Sequence, residues 1–224
     1  MFIRSHLYTA LALSFNYPTP ALIRKEPDNY LLRTFEVASQ HLPNLAVSNE
    51  IVPLRGFLST LSENSEAESL RMLEVEYNRL FVGMGAPLVY PYESLYVAPR
   101  GSVVGETVQN LLQLYAQEGL TLSPDFRDLP DHLTVELEFM ACLCLREEAL
   151  QAREDPGRRA ACRDKERDFL VRHLLPWVPT FCKEILSVTT LPFYQIMARL
   201  TRDFLYWEQG HLKEPLPGGG AALP

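Results

Sequence analysis

Cysteine is scarce, and what little there is follows no pattern. The four are Cys142, Cys144, Cys162 and Cys182, with no CxxC and no Cys/His spacing of a zinc site. Cys142 and Cys144 stand two apart in a stretch of helical periodicity, so they point to different faces and do not readily bridge. Buried free thiols in a reducing compartment are the expectation. Also missing are GxSxG, a Gly-rich phosphate loop, HExxH and a dinucleotide fingerprint, so no nucleophile–base pair or phosphate cradle is readable. Positive charge is short as well: 21 Lys and Arg face 28 Asp and Glu, for a net −7. Such a surface disfavours nucleic acid and anionic membranes and suits basic peptides.

No apolar run is long enough to cross a bilayer. The nearest approach to a targeting signal is "MFIRSHLYTALALSFNYPTPA", in which Arg4 precedes a short apolar run as in a secretory leader. His6, Thr9, Ser14 and Asn16 interrupt that run, and Pro20 spoils a small-x-small cleavage site before Ala21. Ile3, Leu7 and Leu11 instead repeat at helical spacing, beside Tyr8, Ala12 and Phe15, which predicts a buried first helix stopped by Pro18. A cytoplasmic location is expected.

What the chain has in quantity is helical periodicity. Its 224 residues, 47% hydrophobic, suffice for a core of ordinary size. Apolar stripes run through Leu70, Leu73, Tyr77 and Leu80, with Ser65-Glu66 as cap and first turn. Others join Val108, Leu111, Leu112 and Tyr115, ended by Gly119, and Leu133, Leu137, Met140 and Cys144. The longest runs from Phe193 through Ile196, Met197, Leu200 and Phe204 to Trp207. Shorter helices are expected near 28–41, 51–62 and 163–187, and "NYPTP", "EDPGRR", "LPWVP" and "TTLPF" supply the breaks. The fold class is therefore all-α, a single helical domain over 1–209 with about eight or more helices. The segment 210–224, "GHLKEPLPGGGAALP", has the composition of a disordered tail.

One segment does not fit a surface loop. "FVGMGAPLVYPYESLYVAPRGS" carries Tyr90, Tyr92 and Tyr96 within seven residues, stiffened by Pro87, Pro91 and Pro99 after the permissive Gly83 and Gly85. Tyrosine offers an apolar body with a polar tip, the combination favoured at contact surfaces. A lid folded onto the core and a binding surface are both open at this point, and one segment can be both.

In "LPDHLTVELEFM", Pro130-Asp131 opens a helix in which Asp131 is placed to cap free N–H groups, while His132 and Glu136 lie four apart. An N-cap followed by an ordinary i,i+4 pair is the simpler reading. A metal or acid–base site is the other, although His6, His41, His173 and His211 are scattered singly and no metal or cofactor is expected.

Taken in order, "EYNRLFVG", the Pro-aromatic-x-Ser-x-Tyr loop "PYESLYV" and "DHLTVELEFMACL" resemble the TorD/DmsD/NarJ family of redox-enzyme maturation chaperones. "LYTALALSFNYP" looks like that family's first helix, and "FLVRHLLPWVPTF" with "PFYQIMARLTRDFL" like its last two, so the resemblance covers residues from about 4 to 207. It implies an all-helical protein that is not an enzyme. Such proteins bind the catalytic subunit of a molybdopterin oxidoreductase, often through its twin-arginine signal peptide, until cofactor is loaded.

Carried onto this chain, the peptide-binding surface implied is Pro91, Tyr92, Ser94 and Tyr96 with Asp131 and His132; many members have Trp where Tyr92 stands. A receptor for two cations followed by an apolar helix needs carboxylates and an apolar groove. Glu93, Asp131 and Glu136 are candidates for the first, and Tyr90, Tyr92, Leu95 and Tyr96 for the second. The alternatives are a helical acid–base or metal enzyme using Asp131, His132 and Glu136, and a constitutive subunit of a larger complex. The identity of the client stays open, as does the choice between monomer and domain-swapped dimer through a Pro-rich hinge near 121–131. No phosphate loop supports nucleotide binding.

Overall fold

The computed structural model describes residues 2–24, 29–83, 85–97, 105–124 and 126–214. Among these the regular structure is helical throughout. Helix α1 (Ile3–Phe15) is followed by a short 3-10 turn (Pro20–Ile23), α2 (Tyr30–His41) and α3 (Ser48–Ser62). Then come α4 (Glu66–Tyr77), α5 (Ser94–Val97), α6 (Gly105–Gln117), α7 (Leu133–Ala152), α8 (Pro156–Phe169), α9 (Val178–Val188) and α10 (Pro192–Lys213).

Helix α1 is the axis of the domain. Leu7, Tyr8, Ala10, Leu11, Ala12 and Phe15 are all buried, so most of the helix surface is enclosed by its neighbours, with His6 and Thr9 left on the exposed side. It packs on α2 and α10 and most extensively along α7, where its alanines allow close approach. Helix α7 is also enclosed over its first turns, with Leu133 to Leu137 buried without interruption. One core joins these two helices to α9 and α10 through Trp177, Phe181, Phe193, Tyr194 and Phe204.

The ends follow local chemistry. Asn29 caps α2 by accepting from Leu32 N–H at 3.0 Å, and Ser65 and Glu68 cap α4 reciprocally. Gly119 closes α6 at φ +68°, with Leu120 N–H donating to the Tyr115 carbonyl at 2.9 Å. The helix expected near 163–187 is in fact two. Helix α8 starts earlier, at Pro156, and α9 begins at Val178; Pro176, which has no N–H to offer, lies in the break. Helix α10 runs on through Lys213 into the segment expected to be tail, and residues 215–224 lie outside the described residues.

Two helices end in a widened turn that periodicity did not reveal. Helix α4 runs into a π turn at Asn78–Val82, closed by Gly83 N–H on the Asn78 carbonyl, and α8 into another at Leu170–Leu174. Gly83 then turns the chain at φ +72°, where a Cβ would fall against the Ala86 carbonyl. That turn delivers the aromatic segment to the N-terminus of α7. The second π turn places His173 against the same segment from the other side.

Candidate functional site

Residues 91–97 are fastened to the start of α7 by backbone first. Leu133 N–H donates to the Pro91 carbonyl at 2.9 Å and Glu93 N–H to the Asp131 carbonyl at 3.0 Å. These bonds make one antiparallel bridge between Tyr92 and His132, the only strand-like pairing among the described residues. Ser94 N–H, at the start of α5, donates to Asp131 Oδ2 at 3.0 Å. Asp131 was expected to cap α7, yet it serves α5 instead, because the chain crossing ahead of α7 brings the Ser94 amide to it. The cap of α7 is His132, whose Nδ1 accepts from Thr134 N–H at 3.2 Å and lies 2.8 Å from Thr134 Oγ1. An accepting Nδ1 requires a neutral ring, and burial holds the His132 pKa below the usual histidine range.

Glu136 does not share a helix face with His132 as an ordinary i,i+4 pair, because His132 has left the helix (φ −70°, ψ 138°). The Glu136 carboxyl is fully buried. Its Oε2 accepts from Trp177 Nε1–H at 3.2 Å and it reaches the Glu93 carboxyl. Burial first, then the Glu93 charge, raises the Glu136 pKa well above the carboxylate range. Glu93 is itself only 2% exposed and meets His173 Nδ1 at 3.1 Å through both oxygens. Glu93, Asp131 and Glu136 are therefore brought together, but beneath the loop and away from solvent.

The outer face belongs to other residues. Leu95 is 53% exposed and Tyr90 38%, with Leu88 and Leu129 exposed as well. Tyr92 and Tyr96 lie half-buried, each tied by its hydroxyl to a carboxylate: Tyr92 donates to Asp128 Oδ1 at 2.9 Å, and Tyr96 to Glu184 Oε2 at 2.6 Å. Burial and these carboxylates raise both phenol pKa values. The Tyr92 ring stands edge-on to His132 and the Tyr96 ring leans on Trp177, with centroids 5.3 and 5.4 Å apart. Pro91 and Ser94 are buried below them. So the loop is a lid and an exposed apolar face at once. Asp128, Glu184, His173 and Trp177 were not read from the sequence. Only Asp128, three residues before Asp131 in a Pro-rich turn, carried a local signal.

The acid–base reading of Asp131, His132 and Glu136 has no shared focus, since the three side chains address Ser94, Thr134 and Trp177. Among the described residues the group compact enough to hold a metal is Cys144, Glu166 and Glu208, which lies elsewhere in the core. The Arg4 guanidinium already fills that place, bound to Glu166 and within 2.5 Å of Glu208. No helix of the described residues is long and apolar enough to cross a membrane.

The sequence profile described as nitrate reductase delta subunit matches residues 45–183. The chain belongs to this family, the TorD/NarJ family of the sequence resemblance. Among its relatives are the chlorate reductase assembly chaperone of Ideonella dechloratans and the selenate reductase assembly chaperone of Thauera selenatis. The first is 40% identical over 53% of this chain and 60% of its own, the second 42% over 50% and 57%. The chain thus spans less than two thirds of the length of these two relatives. The perchlorate reductase assembly chaperone of Dechloromonas aromatica is 29% identical over 95% of this chain and 90% of its own.

Proposed function

We propose that the chain is a cytoplasmic, non-enzymatic assembly chaperone for the catalytic subunit of a molybdopterin-dependent oxidoreductase. It holds the subunit, through an N-terminal or twin-arginine signal peptide, while cofactor is inserted and before export. The client is a reductase of an inorganic oxyanion, a choice supported by the chlorate, selenate and perchlorate reductase systems named for its relatives.

The observation that carries the peptide-binding reading is the outer face of residues 88–97. Leu88, Tyr90 and Leu95 stand exposed on a segment whose backbone is fixed to α7, with Leu129 beside it on the preceding turn. An apolar face on a pre-ordered backbone costs little to organise on binding, and the Asp128 and Glu184 carboxylates at its tyrosines suit a cationic peptide head. Glu93, Asp131 and Glu136 take part from beneath, as the posts that hold the loop, with Pro91, Ser94 and His132 in the same joint. A net charge of −7 steers a basic segment toward the protein.

The test is genetic. Removing the chain from its native cell is expected to leave the reductase catalytic subunit present but without molybdopterin, restored by the wild-type chain. A fully loaded, active reductase in its absence contradicts the proposal.

A further inference from the structure

Three buried polar atoms around the 91–97 joint lack a hydrogen-bond partner: Ser94 Oγ, Asp131 Oδ1 and Glu136 Oε1. Unpartnered polar atoms on 0–2% exposed residues are costly. Here they accompany an imbalance of charge. Three carboxyls, from Glu93, Asp131 and Glu136, converge with a single imidazole, His173, as basic neighbour. The other groups turned toward Glu136 are Trp177 of the turn before α9, which donates once, and Tyr115 of α6, whose hydroxyl is spent on the Pro130 carbonyl at 3.1 Å. His132 is occupied by its own cap. No lysine or arginine is paired with these carboxyls among the described residues. Two carboxylates in contact in such a place repel strongly, whereas one retained proton turns the repulsion into a hydrogen bond.

We propose that Glu136 keeps its proton at neutral pH and donates it to Glu93, and that this bond latches residues 91–97 onto α7. Glu93 is the hinge side of the latch, because it sits on the loop and His173 holds its carboxylate in register. Glu136 is the fixed side, on the first turn of α7 with Trp177 behind it. Loss of the proton to solvent sets two buried anions against each other and loosens the segment that carries Tyr92, Leu95 and Tyr96. His173 offers the route out: it also lines a groove of about 510 Å³ between α6, α7 and α8 that opens to water. The latch stands on its own geometry. Its consequence, tighter client binding on the low-pH side, rests on the peptide-binding reading above.

The experiment compares wild type with Glu136→Gln, which keeps the bond to Trp177 and donates to Glu93 without titrating. Hydrogen exchange of the Tyr96 and Val97 amides, both bonded to the Glu93 carbonyl, is followed between about pH 5 and about pH 9 after correction for intrinsic rates. Protection in wild type is expected to fall by at least about tenfold as pH rises, and in Glu136→Gln to stay level. Parallel profiles in the two proteins overturn the latch. The infrared carbonyl band of a buried protonated carboxyl is the second readout, on wild type and on Glu136→Asp; no band at neutral pH, or one unmoved by the substitution, also overturns it. Neither readout needs a client. A latch that passes while the signal peptide fails to bind at any pH contradicts the peptide reading alone.

Discussion

The Tyr92 hydroxyl donates a hydrogen bond to Asp128 Oδ1, at 2.9 Å, across a gap of thirty-six residues. The same Oδ1 accepts from Leu129 N–H at 2.7 Å, so one carboxylate ties the aromatic loop to the turn before α7 and keeps its second oxygen for another donor. Because the pair is exposed, it contributes little to stability, of order 1 kcal/mol or less. Asp128→Asn is therefore expected to melt within a few degrees of wild type while weakening a twin-arginine peptide about tenfold. Isothermal titration at two salt concentrations checks this, since the lost contact is electrostatic. A large drop in melting temperature would make the pair structural.

His132 gives the acid limb of the stability curve. Its neutral ring caps α7, and its folded pKa is depressed by burial. The stabilisation is full above about pH 6.5, the unfolded value, and is lost as pH falls through the lower folded one. His132→Asn keeps an accepting cap without titrating. Thermal melts from about pH 5 to about pH 8 are expected to show the gap between the two proteins widening toward acid.

Glu166 works in the opposite sense. Burial pushes its pKa up to about 7 despite the Arg4 guanidinium against it. Its contribution is full below about pH 4.5 and is lost as pH rises through about 7. Glu166→Gln should match wild type in acid and exceed it in stability at alkaline pH. Removing the cation instead, by Arg4→Met, strands Glu166 and Glu208 in the core. That change is expected to cost about 3–5 kcal/mol in denaturant melts at neutral pH.

Gly83 is the backbone counterpart. Its positive φ and the Ala86 carbonyl leave no room for a side chain, so Gly83→Ala is expected to cost roughly 1–3 kcal/mol. It should also raise proteolysis within residues 84–97, because that turn aims the loop. Gly85→Ala, with open space at its Cβ, is the control and should change neither.

How much of this could be read from the chain depends on range. Periodicity and punctuation are local, so α1 with its stop at Pro18, the Ser65 cap and the Gly119 closure were all legible. The π turns were not, since one extra residue in a turn leaves little trace in an apolar stripe. Asp131 was placed at the right spot for a cap, but the amide it serves belongs to Ser94, thirty-seven residues away. His173 and Trp177 sit eighty and forty-one residues from the carboxyls they hold, and nothing in a single sequence pairs them. The spacing of Glu136 was legible; its complete burial depended on the loop crossing above it. The candidate carboxylates were thus found as a group and given the outer face, where the fold puts Asp128 and Glu184.

The measurement that bears most directly on the central claim is affinity capture from a lysate of the native cells, wild type against Tyr90→Glu/Leu95→Glu. Both positions are exposed, so the double variant is expected to fold and melt as wild type does. Wild type should retain a molybdoenzyme catalytic subunit that its own N-terminal peptide displaces, and the variant should retain little of it. Equal capture by the two proteins, or capture that the peptide leaves untouched, would contradict a client held on the aromatic face.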